Sequence, residues 1–168
     1  CYSAGTITSR TPAGIAARYY SKGISHCLFT GNVVQEGAAD DFGLILGYCY
    51  AEDATGHSDN YFSTSCKLIK QGVEQELLGS VFNTVRHDTP LGEAVTPDDL
   101  ESGAIAFKLQ GTRKDFVWGQ GLGGDKVPMI NTLQHTTYRV YVLSGTVDCR
   151  LEPQTALTFA NSKGAGEW

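Results

Sequence analysis

Three short apolar runs follow one another between residues 42 and 78, and they constrain the fold more than any other feature of the sequence. The runs cover residues 42–50, 61–68 and 73–78, and each has a length suited to one β-strand. Because polar turn residues separate the runs, we expect an antiparallel β-meander in which consecutive strands pair with each other.

The rest of the chain continues the pattern of short strands. About ten or more strands with frequent turns are typical of an all-β fold. A helix is expected only at residues 96–103, which begin with Thr-Pro and end on glycine. The side chains of residues 104–109 alternate in the way that predicts a strand, and residues 138–151 predict a hairpin. With no repeat or linker evident, we expect residues 1–168 to form one disulfide-stabilised antiparallel β-sandwich or jelly roll with at most one short helix.

Composition and charge favour an extracellular β-domain and argue against two classes of partner. Charged residues make up 18% of the chain, against about 25% in an average soluble domain. The formal net charge is −5, and the longest basic run is the pair Arg113-Lys114. Non-specific binding of nucleic acid needs a concentrated basic face, so we expect no nucleic-acid partner. No stretch approaches about 18 consecutive apolar residues, so we expect no membrane span.

The five cysteines predict structural disulfides and an oxidising compartment. None forms a CxxC pair, which argues against a zinc ribbon. Cys49 and Cys66 flank the first predicted hairpin and are expected to bond to each other, which leaves Cys27 to bond to Cys149. Cys1 is then the odd cysteine, with a free thiol, a bond to a second chain or a lipidated terminus. In the alternative, Cys1 pairs with an internal cysteine and another cysteine is merely buried.

The loop between the first two runs carries oxygen-rich side chains that are candidates for a Ca²⁺ site. Asp53, Asp59 and Asn60 would supply ligands, and His57 lies among them. The loop lacks the regular spacing of an EF-hand. The alternative is a solvated hairpin tip, in which the same residue types are ordinary turn formers. Apart from this candidate Ca²⁺ site, the sequence predicts no cofactor.

A tryptophan beside a glycine-rich loop is the strongest candidate for contact with a sugar. An exposed Trp118 would stack on a sugar ring, and Asp125, Asn131 and Gln134 would bind the hydroxyl groups. In the alternative, Trp118 lies in the core, because Phe116 shares its parity and the two would face inward together.

Three patterns are weaker candidates for catalysis. Glu74 and Glu76 share a face of one predicted strand, as the carboxylate pair of a jelly-roll glucanase does, or they form its solvent face. The pair His87-Asp88 would supply a general base, but no GxSxG motif supplies a nucleophile. The adjacent pair His26-Cys27 points to opposite faces of a strand, which favours a buried or bridged cysteine. We therefore predict no catalytic residue.

Parts of the sequence resemble known extracellular families. Residues 42–48 (FGLILGY), 59–62 (DNYF) and 70–73 (KQGV) resemble the concanavalin-A-like and laminin-G-like jelly-roll domains, over about 40 residues in all. This resemblance implies a jelly roll that recognises a carbohydrate or a protein ligand, and it carries over no catalytic residue. Residues 142–159 are similar to the join between the lectin and pilin domains of bacterial fimbrial adhesins.

These observations predict a secreted or cell-surface recognition domain that is not an enzyme. A glycan is the expected ligand and a cell-surface protein the other candidate, because aromatics, amides and carboxylates on loops suit such ligands. The main alternative is a structural subunit of a pilus, filament or capsid, which joins copies of itself by strand addition or intersubunit disulfides. A glycoside hydrolase and a secreted effector or toxin are further alternatives.

Overall fold

The computed structural model describes residues 1–19, 23–49, 56–79, 91–113, 117–121, 124–130, 140–143 and 146–149. The chain divides into two compact units, Cys1–Thr96 and Pro97–Trp168. The described part of the first unit is built from strands, and the described part of the second contains two helices and two small hairpin sheets. The expectation of a single domain over the whole chain stays a prediction.

The first unit contains ten described strands in three sheets. They are β1 (Tyr2–Ser3), β2 (Thr6–Ser9), β3 (Ala16–Tyr19), β4 (Leu28–Phe29), β5 (Asn32–Gln35), β6 (Leu46–Cys49), β7 (Tyr61–Ser63), β8 (Leu68–Lys70), β9 (Val73–Glu74) and β10 (Glu93–Val95). Sheet A has the order β1-β4-β7-β10, sheet B has the order β2-β5-β8-β9, and sheet C pairs β3 with β6. All these pairs are parallel except β8 with β9.

The chain visits the sheets in the same order on its first two turns, so the first unit is a parallel β-coil. Each of these turns passes from sheet A to sheet B to sheet C and then returns to sheet A, whereas the third turn places β8 and β9 in sheet B before β10 returns to sheet A. In sheet A, Leu28 lies in register with Tyr2, and Tyr61 lies in register with Leu28. Residues at equivalent positions are therefore about 30 apart in sequence, a spacing typical of solenoids.

Side chains of successive turns stack into columns inside the coil. Ile7, Val33 and Leu68 are in register across sheet B, and Val33 and Leu68 are completely buried. Phe29 and Phe62 form a matching column in sheet A, and both belong to the main core. Burial of each such side chain contributes about 1.5 to 3 kcal/mol, so the columns stabilise the stacking of one turn on the next.

The predicted antiparallel sandwich or jelly roll is wrong, because parallel pairs dominate the sheets. The three predicted apolar runs do contain strands, namely β6, β7 with β8, and β9. Local sequence specifies an extended backbone, but the partners of β6 and β7 come from the previous turn of the coil. Of the predicted meander, only β8 and β9 form a hairpin, across Gln71 and Gly72, which both have positive φ.

The predicted stabilisation by disulfides is also wrong. Cys27 and Cys66 are free buried thiols, so neither the Cys49–Cys66 bond nor the Cys27–Cys149 bond is formed. The physical reason is the topology. Cys49 ends β6, which pairs with β3 in sheet C, whereas Cys66 lies between β7 and β8. The two residues therefore do not face each other across a hairpin.

The second unit contains α1 (Pro97–Glu101), α2 (Ala104–Gln110) and two antiparallel pairs of strands, β11 (Trp118–Gly119) with β12 (Met129–Ile130) and β13 (Val140–Leu143) with β14 (Thr146–Cys149). The predicted helix at residues 96–103 is confirmed by α1, and the predicted terminal hairpin by β13 and β14. The limit of one helix is wrong, because residues 104–109 were expected as a strand and belong to α2. In α2, Ile105, Ala106 and Leu109 are buried along one helical face.

Candidate ligand-binding cleft

One corner of the coil repeats from turn to turn and carries a pair of polar side chains. Ser25 and Ser58 form a parallel bridge there, which aligns His26 with Asp59. Both His26 and Asp59 have positive φ, at 55° and 51°, so each occupies a left-handed corner position. His26 Nε2 lies 3.6 Å from Asp59 Oδ2. The Asp59 carboxylate is thus held at the corner by the turn below it.

Asn60 forms the floor of this corner. Its side chain is 3% exposed and bonds to the backbone of the previous turn at two points. Asn60 Nδ2 donates to the Ile24 carbonyl at 2.7 Å, and its Oδ1 accepts from the Cys27 N–H at 3.2 Å. Both groups of the amide are therefore occupied in holding the turns together, and the corner is a rigid platform.

A cleft of about 450 Å³ opens above this floor, and the lining residues that the structure describes all belong to the first unit. It is lined by His57, Ser58, Asp59, Asn60, Tyr61, Leu91, Gly92 and Glu93. The parallel register of β7 and β10 places Glu93 directly beside Tyr61. Residues that are distant in sequence thus meet in one cleft because the coil stacks a third turn on the second.

The Tyr61 phenol is close enough to two carboxylates of the cleft to feel their charge. Burial, followed by the negative charges of Asp59 and Glu93, raises the pKa of the Tyr61 phenol from 10 to about 12. Tyr61 is 4% exposed, so its ring contributes a buried wall and not a free surface. Because the phenol stays protonated up to high pH, it serves as a hydrogen-bond donor and not as a general base.

His57 is fixed by the backbone at the edge of the same cleft. Its Nδ1 accepts a hydrogen bond from the Ile24 N–H at 2.9 Å. An accepting Nδ1 carries no proton, so the ring is neutral in this arrangement, with its proton on Nε2. The cleft thus combines a neutral imidazole, a phenol and two carboxylates.

The residues predicted to bind a sugar are only partly described. Trp118 is 1% exposed, as the core interpretation expected, and its backbone N–H donates to Gln110 Oε1 at 3.0 Å. Asp125 Oδ2 accepts the Gly121 N–H at 2.6 Å within its own loop. Asn131 and Gln134 lie outside the described residues. Contact of these four residues with a ligand stays a prediction.

The predicted Ca²⁺ ligands are likewise only partly described. Asp59 lines the cleft, whereas Asn60 uses its oxygen on the Cys27 N–H. Asp53 lies outside the described residues. Among the described parts of the chain, no group of three or more His, Cys, Asp or Glu is arranged to hold a metal ion. A Ca²⁺ site in this loop stays a prediction.

The cysteines hold structural positions. The Cys27 thiol donates to the Ser25 carbonyl at 3.3 Å, and the Cys66 thiol donates to the Phe29 carbonyl at 3.7 Å. Burial raises the pKa of the Cys66 thiol to about 11, which suppresses its reactivity. Cys1 is an exposed free thiol, and its bond to a second chain stays a prediction.

Glu74 and Glu76, which were considered for catalysis, are not among the described lining residues of the cleft. Glu74 lies at the sheet edge on β9, exposed and 3.5 Å from Lys67 Nζ, and Glu76 is exposed nearby. The pair His87-Asp88 lies outside the described residues. Neither α1 nor α2 has the length and apolar character to cross a membrane, and no other helix is described.

The sequence contains a signal for this corner that the sequence analysis missed. Residues 25–30 (SHCLFT) and 58–63 (SDNYFS) share the pattern Ser-x-x-x-Phe followed by Thr or Ser. The structure stacks these two segments in register, with Phe29 on Phe62. The similarity is too short and too degenerate to be read as a repeat before the stacking is known. Glu93 has no such signal, because the third turn departs from the pattern.

Comparisons with known proteins leave the family open. No family model, no curated protein and no solved structure matches this chain.

Proposed function

We propose that the protein recognises a glycan at the cleft formed by residues 57–61 and 91–93. The observation that carries the proposal is the cleft itself, in which carboxylates, a phenol and an imidazole converge on one space of about 450 Å³. A cavity of this size falls within the range of small-molecule sites, about 300 to 1,000 Å³. Carboxylates accept hydrogen bonds from sugar hydroxyls, and the Tyr61 phenol donates to a sugar oxygen.

The stacked turns supply the rigidity that such recognition needs. Asn60 fixes the floor to the turn below, and His57 is held by the Ile24 N–H. A site built on regular elements loses little conformational entropy when a ligand binds. Glycan recognition therefore depends on groups already in place, and secretion or display at a cell surface is the setting in which such a ligand is met.

The test is calorimetric titration of the whole chain with a panel of soluble oligosaccharides. Tyr61→Phe removes only the phenol oxygen, and we expect it to weaken binding about 10-fold. Glu93→Gln keeps the side-chain shape and is expected to weaken binding by a similar factor. Glu76→Gln removes an exposed carboxylate outside the cleft and should leave affinity unchanged. Binding that survives both cleft substitutions would refute the proposal.

Hydrolysis of the bound glycan is the second candidate, favoured by the presence of two carboxylates in one cleft. Glycosidases need one carboxyl group as acid and a second as base or nucleophile, and Asp59 and Glu93 are the available pair. Release of reducing ends from a polysaccharide, abolished by both Asp59→Asn and Glu93→Gln, would establish this activity. Binding without any release would leave the protein as a recognition domain.

A further inference from the structure

The strand β2 forms an outer edge of sheet B. Within the described ranges, β2 pairs with β5 and with no other strand. The N–H of Asn32 in β5 donates to the Gly5 carbonyl at 2.8 Å. Because alternate residues of a strand direct their backbone groups to opposite sides, the N–H and C=O groups of Thr6 and Thr8 face away from β5. The edge therefore offers both donors and acceptors to another extended backbone.

The apolar column inside sheet B ends at the same edge. Leu68 and Val33 are completely buried, whereas Ile7, which is in register with Val33, is only partly buried. A further strand with an apolar residue opposite Ile7 would extend the column and remove more apolar surface from water. The backbone edge and the column together specify the partner as an extended segment with an apolar residue at its centre.

The composition of this edge favours a second copy of the same strand as that segment. Residues 2–9 contain no charged side chain and no proline, although the chain carries a net charge of −5. In a contact about a two-fold axis the same surface meets itself, so a charged edge would face its own charge. The other outer strand of sheet B, β9, is protected in the usual way, because it carries Glu74, whose carboxylate lies 3.5 Å from Lys67 Nζ.

We propose that two copies of this chain join by antiparallel pairing of β2 with β2, about a two-fold axis beside Ile7. Thr6 of each copy then lies opposite Thr8 of the other, and each such pair exchanges both of its N–H···O=C hydrogen bonds. The two Ile7 residues face each other as a non-hydrogen-bonded pair, in which side chains lie closer together. Because the axis is perpendicular to the sheet, both inner faces stay inward and the two apolar columns become continuous.

Sedimentation equilibrium of the whole chain measures the assembly at chain concentrations from about 1 to 100 µM. We expect an equilibrium between monomer and dimer with no larger species, because a two-fold contact uses the same edge of both copies and closes. A monomer at every concentration would overturn the proposal. An open series of oligomers would also overturn it, since such a series needs two different surfaces on each copy.

Two double variants test the strand and its direction. Thr6→Lys with Thr8→Lys places like charges opposite each other in both pairs, so we expect the dissociation constant to rise at least about 10-fold. Thr6→Lys with Thr8→Glu places opposite charges across the same pairs, so the dimer should persist. Parallel pairing in register would instead set like charges against each other in this second variant. Equal weakening in both double variants would therefore contradict the antiparallel contact.

Val73→Lys is the control for added charge, because Val73 is 62% exposed on β9, at the other edge of sheet B. This substitution should leave the dissociation constant unchanged. The side chains of Thr6 and Thr8 are exposed, so we expect both double variants to keep the far-ultraviolet circular dichroism spectrum of the wild type. A dimer that survives Thr6→Lys with Thr8→Lys, or one that is lost in Val73→Lys, would refute the role of β2.

Hydrogen exchange of the wild type tests the same contact without any substitution. The amide hydrogens of Thr6 and Thr8 face the proposed partner, whereas that of Ile7 faces β5. We expect the two threonine amides to exchange at least about 10-fold more slowly in the dimer than after dilution to monomer, and the Ile7 amide to be protected in both. Threonine amides that exchange at the same rate in both states would overturn the proposal.

Discussion

At the scale of single residues, Asn60 contributes most to the cohesion of the cleft. Its amide is buried and bonds to Ile24 and Cys27 of the turn below. Asn60→Ala leaves the Cys27 N–H without its acceptor and removes the shorter of two hydrogen bonds to the Ile24 carbonyl, which also accepts from the Ser58 N–H at 3.4 Å. We therefore expect a loss of about 1 to 3 kcal/mol in the free energy of unfolding, measured in urea.

Asn32→Ala is the matched control, because that amide also joins two turns, accepting the Lys67 N–H and donating to Thr6 Oγ1, but is partly exposed, so solvent replaces much of both bonds. A loss below about 0.5 kcal/mol for Asn60→Ala would contradict the assigned role.

The raised pKa of Tyr61 makes stability depend on pH in the alkaline range. The folded-state pKa is about 12 and the ordinary value is 10, so the neutral phenol stabilises the fold below pH 10. This contribution is lost as the pH rises from 10 to about 12, and solvent access at the cleft limits it to roughly 1 to 2 kcal/mol. Urea unfolding of the wild type and of Tyr61→Phe between these pH values measures the difference, since other titrating groups are common to both. If the free energy of unfolding fell equally with pH in the wild type and in Tyr61→Phe, ionisation of Tyr61 would make no contribution to the pH dependence of stability.

At the scale of elements, the corner before β5 needs glycine. Gly31 lies one turn above Gly5, and a Cβ on Gly31 would come within 1.9 Å of the Gly5 carbonyl oxygen. Because that neighbour is backbone and cannot rotate away, we expect Gly31→Ala to cost about 1 to 3 kcal/mol or more, seen as a lower thermal midpoint. Gly124→Ala is the control, since the nearest atom there is at an ordinary contact distance of 3.6 Å. A neutral Gly31→Ala would mean that the two turns are not stacked as described.

The helix α2 shows why an element can be predicted with the wrong type. Residues 104–109 alternate in polarity over a short stretch, which satisfies the strand pattern. The same stretch also places Ile105 and Leu109 one helical turn apart, and both are buried in α2. A short apolar segment fits both the strand period and the helical period. Packing, together with the left-handed Gly103 that precedes the helix, therefore decides between strand and helix.

At the scale of the whole molecule, the parallel register can be tested by cross-linking. Thr8 pairs with Val34 across β2 and β5, where parallel neighbours have Cα atoms about 4.8 Å apart. This spacing suits a disulfide, so Thr8→Cys with Val34→Cys should form one on mild oxidation, identified by non-reducing mass mapping. Thr6→Cys with Val34→Cys is out of register at about 8 Å and should not. The reverse outcome, or no bond in either variant, would rule out the coil.

The strands were largely predictable from the sequence, whereas their partners were not. The alternation of side chains in residues 6–9 and 32–35 is visible in the local sequence, and β13 and β14 pair across the Ser-Gly sequence that predicted their hairpin. Parallel pairing joins residues about 30 apart, and no local turn encodes it. The residues of the candidate cleft likewise include some that the sequence predicts and some that it does not. Asp59 stands out among turn residues, but Glu93 joins it only because a third turn stacks on the second.

The amino-acid sequence by itself determined the extended character of the chain, the inward and outward alternation of its side chains and the acidic net charge of −5. These properties depend on each residue and its nearest neighbours. Only the tertiary structure decided that the turns stack in parallel, that Cys27 and Cys66 stay reduced, and that Tyr61 shares a cleft with Asp59 and Glu93. Those properties depend on contacts between successive turns, which form when the coil buries its apolar columns.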